Sequence, residues 1–324
     1  MTGRSIFVTG GYGLLGGWLV KALLERGAQV TVLRRDITPV SLLTIEGVEA
    51  RVSVVNGDVS DLATVERALG EYEIDTVFHL AAQTLVGTAN RSPLSTFETN
   101  VRGTWTLLEA CRMHGTERVV VAASDKAYGS HKELPYREDS ALQASHPYDV
   151  SKAAADLIAR SYFHTFGMPV AVTRFANLYG GGDLNPSRLV PEAVAAALAG
   201  RAPVIRSDGS PERDYLYVED AVAAYLAIAD ALDGEGARGE AFNAGSGEPR
   251  SVREVVDAVC RVVGVDLEPD IRGEGTPAGE IDRQYVDTTK LRELTGWRTQ
   301  VELEEGLRRT VDWYRGHPEA LPGA

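Results

Sequence analysis

The residues with the clearest chemical potential are a tyrosine and a lysine four positions apart, Tyr148 and Lys152. Side chains at this spacing lie one turn apart on the same face of a helix, so the lysine ammonium can approach the phenol. A free tyrosine titrates at about 10, and a neighbouring cation favours the phenolate and lowers that pKa. The spacing therefore predicts a tyrosine that works as a general base.

The same spacing also occurs by chance on amphipathic helices, so its surroundings have to support it. Ser124, Asp125 and Lys126 come directly after a predicted strand at residues 119–122. Ligands of open α/β sheets bind at the carboxyl ends of strands, which favours a catalytic serine, acid and base here. The alternative for the pair is a strand-end salt bridge, worth under about 1 kcal/mol if exposed. We prefer the catalytic interpretation because the pair follows Ser124 directly.

A glycine-rich turn predicts where a coenzyme binds. Residues 5–9 form a short run rich in β-branched side chains, which leads through the turn into an amphipathic helical pattern. Gly10 allows the tight turn, Gly13 lets the backbone approach a pyrophosphate, and Gly16 lets the helix pack on the strand. The residues predicted to surround the phosphates are Gly10, Gly13, Leu14, Leu15 and Gly16.

Strand-like and helix-like runs alternate as far as residue 176 and predict an α/β fold with a doubly wound parallel sheet. The further predicted strands are residues 30–33, 52–55, 76–80, 119–122 and 170–174. Beyond residue 177, shorter pieces predict a smaller, interleaved substrate-binding part, including a strand at 213–217 and a turn at 242–247. The predicted domains are a dinucleotide-binding domain (1–176 with about 210–235) and a substrate domain (177–209 and 236–324).

The ends of the second and third predicted strands leave the type of coenzyme open. Asp36 accepting the ribose hydroxyls would indicate NAD, whereas Arg34 or Arg35 facing a 2′-phosphate would indicate NADP. Asp58, with Val59 beside it, is predicted to lie at the adenine edge. An aspartate after a strand is equally often a helix cap.

Two further positions are predicted to complete the coenzyme site. Leu80, Ala81 and Ala82 follow the fourth strand, where small side chains either receive a nicotinamide or simply pack tightly. Asn100 is a polar residue on a continuous helical pattern over residues 93–113, which is predicted to cross the face of the sheet.

Composition limits the possible partners. The 324-residue chain has a net charge of -13 and no run of lysine or arginine, which opposes binding to nucleic acid or to an acidic membrane surface. Cys111 and Cys260 lie far apart in helical patterns, and neither cysteines nor histidines show metal-ligand spacing, so we expect buried thiols and no metal. Without a long apolar run or a signal pattern, we expect a cytoplasmic protein.

Together these motifs resemble the extended short-chain dehydrogenase/reductases that act on nucleotide sugars, the NAD-dependent epimerase/dehydratase family. The resemblance covers essentially the whole chain and rests on the glycine turn, Ser124, Tyr148 with Lys152, residues 213–220 and the segment around Arg283. Within that group, residues 77–83, 100–104, 124–126 and 180–183 are most similar to CDP-glucose 4,6-dehydratases. Other 4,6-dehydratases commonly have glutamate at the position of Lys126. At residues 213–217 the chain has the generic family form Arg-Asp-Tyr-Leu-Tyr, where the CDP-glucose subfamily has Arg-Pro-Trp-Gln-His.

The resemblance implies a nucleotide-sugar 4,6-dehydratase: oxidation at C4, loss of water across C5 and C6, and hydride return to C6. NAD or NADP would stay tightly bound and be regenerated in each turnover. Tyr148 would take the C4 hydroxyl proton, Lys152 would hold the ribose and lower the tyrosine pKa, and Ser124 would hydrogen-bond the sugar oxygen. CDP-glucose or a similar nucleotide-diphosphate hexose is the expected substrate, and pairing of the Asn100 and Tyr148 helices would give a homodimer. The implied substrate contacts are Gln83, Ser124, Asn177, Arg188, Arg213 and Arg283, although a single arginine is more often plain surface.

The roles of Asp125 and Lys126 stay open. By analogy with dehydratases that carry Asp-Glu, Asp125 would be the acid and Lys126 the base. Only on the order of one lysine in a thousand is neutral near pH 7, so ordinary charges favour the reverse.

Two other functions share these motifs. A 4-epimerase needs Tyr148 and Lys152 but only oxidation, rotation of the ketosugar and reduction. A non-catalytic coenzyme-binding protein is also compatible with the fold, but it would have no reason to keep Ser124, Tyr148 and Lys152 together.

Overall fold

The structure, a computed structural model, describes residues 1–275 and 281–321. Strands and helices alternate first in the order β1 (Ser5–Thr9), α1 (Leu14–Glu25), β2 (Gln29–Arg34), α2 (Leu42–Ile45), β3 (Ser53–Asn56), α3 (Leu62–Glu71), β4 (Thr76–His79), α4 (Val86–Arg91), α5 (Pro93–Phe97), α6 (Gly103–His114), β5 (Arg118–Ala122), α7 (Pro147–Phe166) and β6 (Val170–Phe175). The later elements are β7 (Asn177–Tyr179), α8 (Leu189–Leu198), β8 (Val204–Ile205), β9 (Glu212–Tyr217), α9 (Val218–Ala231), β10 (Ala241–Ala244), β11 (Pro249–Ser251), α10 (Val252–Val263), β12 (Asp270–Ile271), β13 (Arg283–Gln284), α11 (Thr289–Thr295) and α12 (Leu303–Gly316).

A seven-stranded parallel sheet in the order β10-β6-β5-β4-β1-β2-β3 forms the centre of the fold. Ile6 and Val8 of β1 join one apolar cluster and Phe7 joins another, because successive side chains of a strand point to opposite faces. Helices cover both faces, so strand residues are apolar at consecutive positions rather than alternating ones. The predicted doubly wound α/β fold is confirmed.

Strand β10 is the main departure from the predicted secondary structure. Its residues were expected in a turn over 242–247, but Ala241–Ala244 pair with β6 at the edge of the central sheet. Asn243 hides the strand in the sequence because it is polar yet fully buried. Its side chain accepts a hydrogen bond from the Tyr128 hydroxyl and donates one to the Tyr136 carbonyl. The predicted division placed 236–324 in the smaller part, whereas this strand belongs to the larger one; the remaining boundaries stay a prediction.

The smaller part is organised around β9, which pairs with β7 and β13 in parallel and with β11 antiparallel. Helices α8, α10 and α12 supply its apolar cluster, which includes Val194, Val259 and Leu307. The short strand β7 lies in what the sequence predicted as a loop.

The carboxyl ends of β1, β4, β5 and β6 meet at one edge of the central sheet, because all four strands are parallel and adjacent. The glycine turn follows β1, residues 80–84 follow β4, the Ser124 turn follows β5, and β7 follows β6. Segments far apart in sequence therefore converge at this edge. Among the described residues, no helix is long and apolar enough to span a membrane.

Candidate active site

A cavity of about 510 Å³ opens at this edge, between the central sheet and the smaller part. Its wall contains these residues that the sequence analysis selected: Gly10, Gly13, Leu14, Leu15, Gly16, Leu80, Ala82, Ser124, Lys126, Tyr148, Lys152, Asn177 and Arg188. The glycine turn and the tyrosine–lysine pair thus share one cavity, as a coenzyme-dependent site requires.

The glycine turn fits a dinucleotide. Gly10 has a φ of +74°, and a Cβ there would lie 2.8 Å from the backbone nitrogen of Ala81. A Cβ at Gly16 would lie 2.1 Å from the Gly10 carbonyl oxygen, so α1 packs directly on the turn. At Gly13 a Cβ would meet only that same oxygen, at 3.4 Å. Gly13 precedes α1 without a side-chain cap, which leaves the first-turn N–H groups for an anion in the cavity.

Tyr148 lies in the first turn of α7, with its phenol hydrogen-bonded to Ser124. Pro147, as the first helical residue, suits the start of a helix there. Burial raises the pKa of Tyr148 to about 12, and the Ser124 hydrogen bond and the Arg188 charge lower it only partly. Ser124 also donates to Asp125 at 3.1 Å, so one hydroxyl links the base to the acid–base pair.

Lys152 stands one turn after Tyr148 and is 5% exposed. Its Nζ donates to the Ala122 carbonyl at 2.7 Å, at the end of β5. Burial lowers the pKa of Lys152 to about 8. The predicted lowering of the tyrosine pKa is wrong for this structure, because burial outweighs every charge that acts on the phenol.

Asp125 and Lys126 begin a 3-10 turn that runs from Asp125 to Tyr128. Lys126 reaches the cavity wall, whereas Asp125 is 2% exposed and lies behind it. Burial raises the pKa of Asp125 to about 6, and Lys126 and Ser124 oppose that rise. An exposed salt bridge, the plain alternative, does not describe a carboxylate that is buried to this extent.

The loop that joins this turn to α7, residues 129–146, is anchored by distant segments. The Tyr136 amide donates to the Tyr285 carbonyl, and the Asp287 amide donates to the Tyr136 carbonyl. Below it, the buried Arg174 binds Asp156 at 2.7 and 3.0 Å and the Glu138 carbonyl at 3.0 Å. These contacts hold the loop, and with it the turn of Asp125 and Lys126.

The predicted substrate residues divide into two groups. Arg188 lies in the cavity wall, where Asp183 and the Thr84 hydroxyl orient it at 3.1 and 3.2 Å. Arg213 is buried on β9 and donates to the Asp282 carbonyl at 3.3 Å. Arg283 is more exposed and pairs with Glu212 at 2.6 Å. Asn177 joins the wall at β7.

Gln83 and Asn100 hold each other. The Asn100 side chain accepts from the Gln83 amide at 2.7 Å and donates to its carbonyl and to the Ser151 hydroxyl. Asn100 sits in a π-helical turn, Glu98–Arg102, that interrupts the continuous helix predicted over 93–113. These contacts give Asn100 a role in fastening the 80–84 loop to α7. Beside this loop, Ala81 donates its amide to the Thr9 hydroxyl at 3.1 Å.

The residues predicted around the adenosine lie at the ends of β2 and β3, beyond the cavity. Arg34 donates to Glu49 and to Asn56, both at 2.9 Å, and Arg35 pairs with Asp36. Asp58 accepts from the amide and hydroxyl of Ser60, which is the local-cap alternative left open by the sequence. Val59 is buried against Gly103.

Sequence reasoning missed several wall residues, among them Asp183, Tyr215 and Tyr225. Asp183 stood in the glycine-rich segment 180–183, where only its spacing to Arg188 hinted at a partner. Asp149 was also missed. It follows Tyr148 directly, yet its burial at 8% exposure depends on packing that a sequence does not display.

A family model described as GDP-mannose 4,6 dehydratase matches residues 7–310, nearly the whole chain. The chain belongs to this family. A dTDP-glucose 4,6-dehydratase of Xanthomonas campestris is 33% identical over 95% of this chain and 92% of its own length. The chain spans about half, 48%, of the trifunctional UDP-glucose 4,6-dehydratase/epimerase/reductase of Arabidopsis thaliana that it also matches. Membership of the extended short-chain dehydrogenase/reductases is thereby confirmed.

Solved structures of this family agree with the fold. A dTDP-glucose 4,6-dehydratase of Streptomyces venezuelae with NAD bound is 32% identical, with a TM-score of 0.87 over 97% of this chain and 98% of that one. A UDP-glucose 4-epimerase of Thermotoga maritima is 29% identical, with a TM-score of 0.88 over 96% of this chain and 98% of that one. Backbone similarity alone does not separate the two activities.

Proposed function

We propose that the protein is a nucleotide-sugar 4,6-dehydratase that uses an NAD-type coenzyme. The observation that carries the proposal is the position of Lys126 in the cavity wall, with Asp125 beside it, next to the hydrogen-bonded pair of Ser124 and Tyr148. A 4-epimerase needs one base and a coenzyme. The additional acid–base pair is what elimination of water requires.

In this mechanism Tyr148, as phenolate, accepts the C4 hydroxyl proton while Ser124 orients the sugar oxygen. A bound oxidised nicotinamide supplies the hydride acceptor for C4 and a positive charge near the phenol, and its reduced form supplies the hydride for C6. Gly13 and the start of α1 would hold the pyrophosphate, and Lys152 the nicotinamide ribose. The C4 ketone then makes the C5 hydrogen acidic enough for Asp125 and Lys126 to remove it and protonate the departing C6 hydroxyl.

The test is incubation of the protein with CDP-, dTDP-, UDP- and GDP-hexoses, followed by product masses. We expect loss of one water from at least one of them, and a 10²-fold or greater loss of that activity in Tyr148→Phe. Tyr162→Phe makes the same change on an outer turn of α7 and should leave the rate intact. Isomerisation without water loss would instead establish the epimerase, which the similarity to the Thermotoga enzyme keeps as the second candidate. The expectation of a CDP-sugar stays a prediction.

We further propose that the coenzyme is NAD rather than NADP. Glu49 neutralises Arg34 and Asp36 neutralises Arg35, so the two arginines at the end of β2 are already paired with carboxylates. A 2′-phosphate would have to displace one of these carboxylates. Thermal unfolding should therefore show a larger stabilisation by NAD than by equal NADP, and Glu49→Gln should narrow the difference. Equal shifts in the unmodified protein would contradict the proposal.

We also propose a homodimer through the outer faces of α5, α6 and α7. Seven of the twelve large apolar side chains that are markedly exposed among the described residues lie on these helices: Leu94, Phe97, Trp105, Met113, Val150, Leu157 and Phe166. Such a concentration on neighbouring helices is typical of a protein interface. The cytoplasmic location stays a prediction.

A further inference from the structure

Lys126 lies between two carboxylates, of which only one adjoins it in sequence. Asp125 precedes it in the 3-10 turn, and Asp149 acts on it from the first turn of α7, which packs against that turn. The two aspartates are only 2% and 8% exposed. A neutral amine at Lys126 would leave both negative charges buried without their common cation, which is strongly unfavourable.

The charged and titratable groups around this pair come from every element that packs against it. They are Asp125 and Ser124 on the turn, Tyr136 on the loop, His146, Tyr148 and Asp149 at the start of α7, and Arg213 and Asp214 on β9. With three carboxylates and two cations, the cluster is on balance anionic. An anionic surrounding favours the charged form of the lysine.

Asp149 has a plainer explanation that has to be weighed. It is the third residue of α7, and a carboxylate in the first turn interacts favourably with the helix N-terminus wherever it points. That interaction does not require burial against Lys126. Burial raises the pKa of Asp149, and the two cationic partners that lower it again are Lys126 and then His146, whose Nδ1 lies 3.9 Å from the carboxylate. A carboxylate needed only for the helix would be less unfavourable in solvent.

We propose that Asp149 is a positioning residue that, together with Asp125, holds Lys126 as an ammonium ion at the cavity wall, so that Lys126 is the acid and not the base of the elimination. The inference rests on the proposed dehydration. The base is then Asp125, which takes the C5 proton while the C5–H electron pair forms the C5–C6 double bond. The C6–O bond breaks, and the oxygen leaves with its bonding pair and the Lys126 proton as water. Transfer of the proton from Asp125 to Lys126 restores both groups.

Asp149→Asn separates the two possible roles of Lys126. Without this carboxylate the lysine releases its proton at lower pH. If Lys126 is the acid, the alkaline limb of the rate of 4-keto product formation moves down by about one pH unit, and the rate on that limb falls about tenfold. If Lys126 is the base, the variant is never slower at alkaline pH, because more of the amine is neutral. Asp149 also raises the pKa of Tyr148, so the acidic limb moves in the same downward direction and does not mask the alkaline one.

A second readout needs no substrate. The chain has five lysines, so 13C-labelled lysine gives few signals, and Lys126→Arg identifies the one of interest. In Asp149→Asn we expect the titration midpoint of that signal to fall by about one pH unit. An unchanged midpoint would overturn the inference, whatever the kinetics show.

Two variants control for charge and for folding. Asp149→Glu keeps the carboxylate and should retain both the midpoint and the alkaline limb near those of the unmodified enzyme. Asp139→Asn removes the same charge from a side chain that is 81% exposed and should change neither. A merely structural Asp149 would lower the melting temperature without moving midpoint or limb. If the unmodified protein dehydrates none of the four nucleotide sugars, the proposed function fails, and the lysine titration still decides whether Asp149 acts on Lys126.

Discussion

Burial tunes the ionisable side chains of this site more than pairing does. Asp125 and Lys152 are both nearly inaccessible, and their pKa values move to about 6 and about 8 from opposite sides of neutrality. Groups that titrate near the working pH exchange protons most readily. Tyr148 shifts the other way, to about 12, so it needs the Ser124 hydrogen bond and a cationic neighbour before it can serve as a base at neutral pH.

The raised pKa of Asp125 predicts a gain in stability when the charge is removed. Between roughly pH 4 and 6 the folded state binds the Asp125 proton more tightly than the unfolded chain, so this contribution to stability is lost as pH rises through about 6. Asp125→Asn does not ionise. Above pH 6 it should be more stable than the unmodified protein by about 2 to 3 kcal/mol and nearly inactive.

Urea unfolding at pH 4 and pH 8 measures this difference. The gain should appear at pH 8 and shrink towards zero at pH 4, and Asp139→Asn should show neither. A variant that is equally stable or less stable at pH 8 would show that pairing with Lys126 outweighs desolvation.

At the scale of elements, the glycine turn between β1 and α1 contains glycines with different duties. Gly16 is required by packing, since a Cβ would lie 2.1 Å from the Gly10 carbonyl oxygen. Gly13 has an extended backbone that any residue adopts, and its Cβ would meet only the 3.4 Å contact. Its small size is therefore of use chiefly to a ligand.

Gly13→Ala and Gly16→Ala should accordingly fail in different ways. Gly13→Ala is expected to unfold at nearly the same temperature as the unmodified protein but to lose most of the stabilisation by NAD. Gly16→Ala should unfold at a clearly lower temperature even without NAD, because backbone has to move. Thermal unfolding of the three proteins with and without NAD checks this, and a destabilised Gly13→Ala that still binds NAD would refute it.

How far the sequence predicts these elements depends on how local their causes are. Strands β1 to β6 and the glycine turn follow from apolar runs and glycines within a few residues of one another. Strand β10 does not, because Asn243 is satisfied by Tyr128, 115 residues away in the chain. Asn100 likewise reaches Ser151, 51 residues away, from a π-helical turn that no local pattern announces. The cluster around Lys126 escaped prediction for the same reason, although both Asp125 and Lys126 were selected.

At the scale of the whole molecule, exposed apolar side chains single out the face of α5, α6 and α7. Val150 and Leu157 are seven residues apart on α7 and therefore share one helix face. Because α7 also carries Tyr148 and Lys152, a partner packed on this face would brace the catalytic helix from behind.

Charge on this face should separate the subunits. We expect the unmodified protein to have the mass of a dimer by light scattering, and Trp105→Glu with Leu157→Glu to have that of a monomer. Leu62→Glu places the same charge on an exposed leucine of α3 and should leave the dimer intact. A monomeric unmodified protein at micromolar concentration would contradict the proposed interface.

The backbone pairing of Tyr136 with Tyr285 and Asp287 sets a schedule for the newborn chain. A ribosome adds roughly 5–20 residues per second, so the clasp emerges on the order of 10 s after the turn that it steadies. Until then, a nascent chain can bind coenzyme on its completed first strands while its proton-transfer groups remain unfastened. Competence to hold the coenzyme should thus precede competence to turn over during synthesis, and truncation ahead of Tyr285 should leave the first without the second.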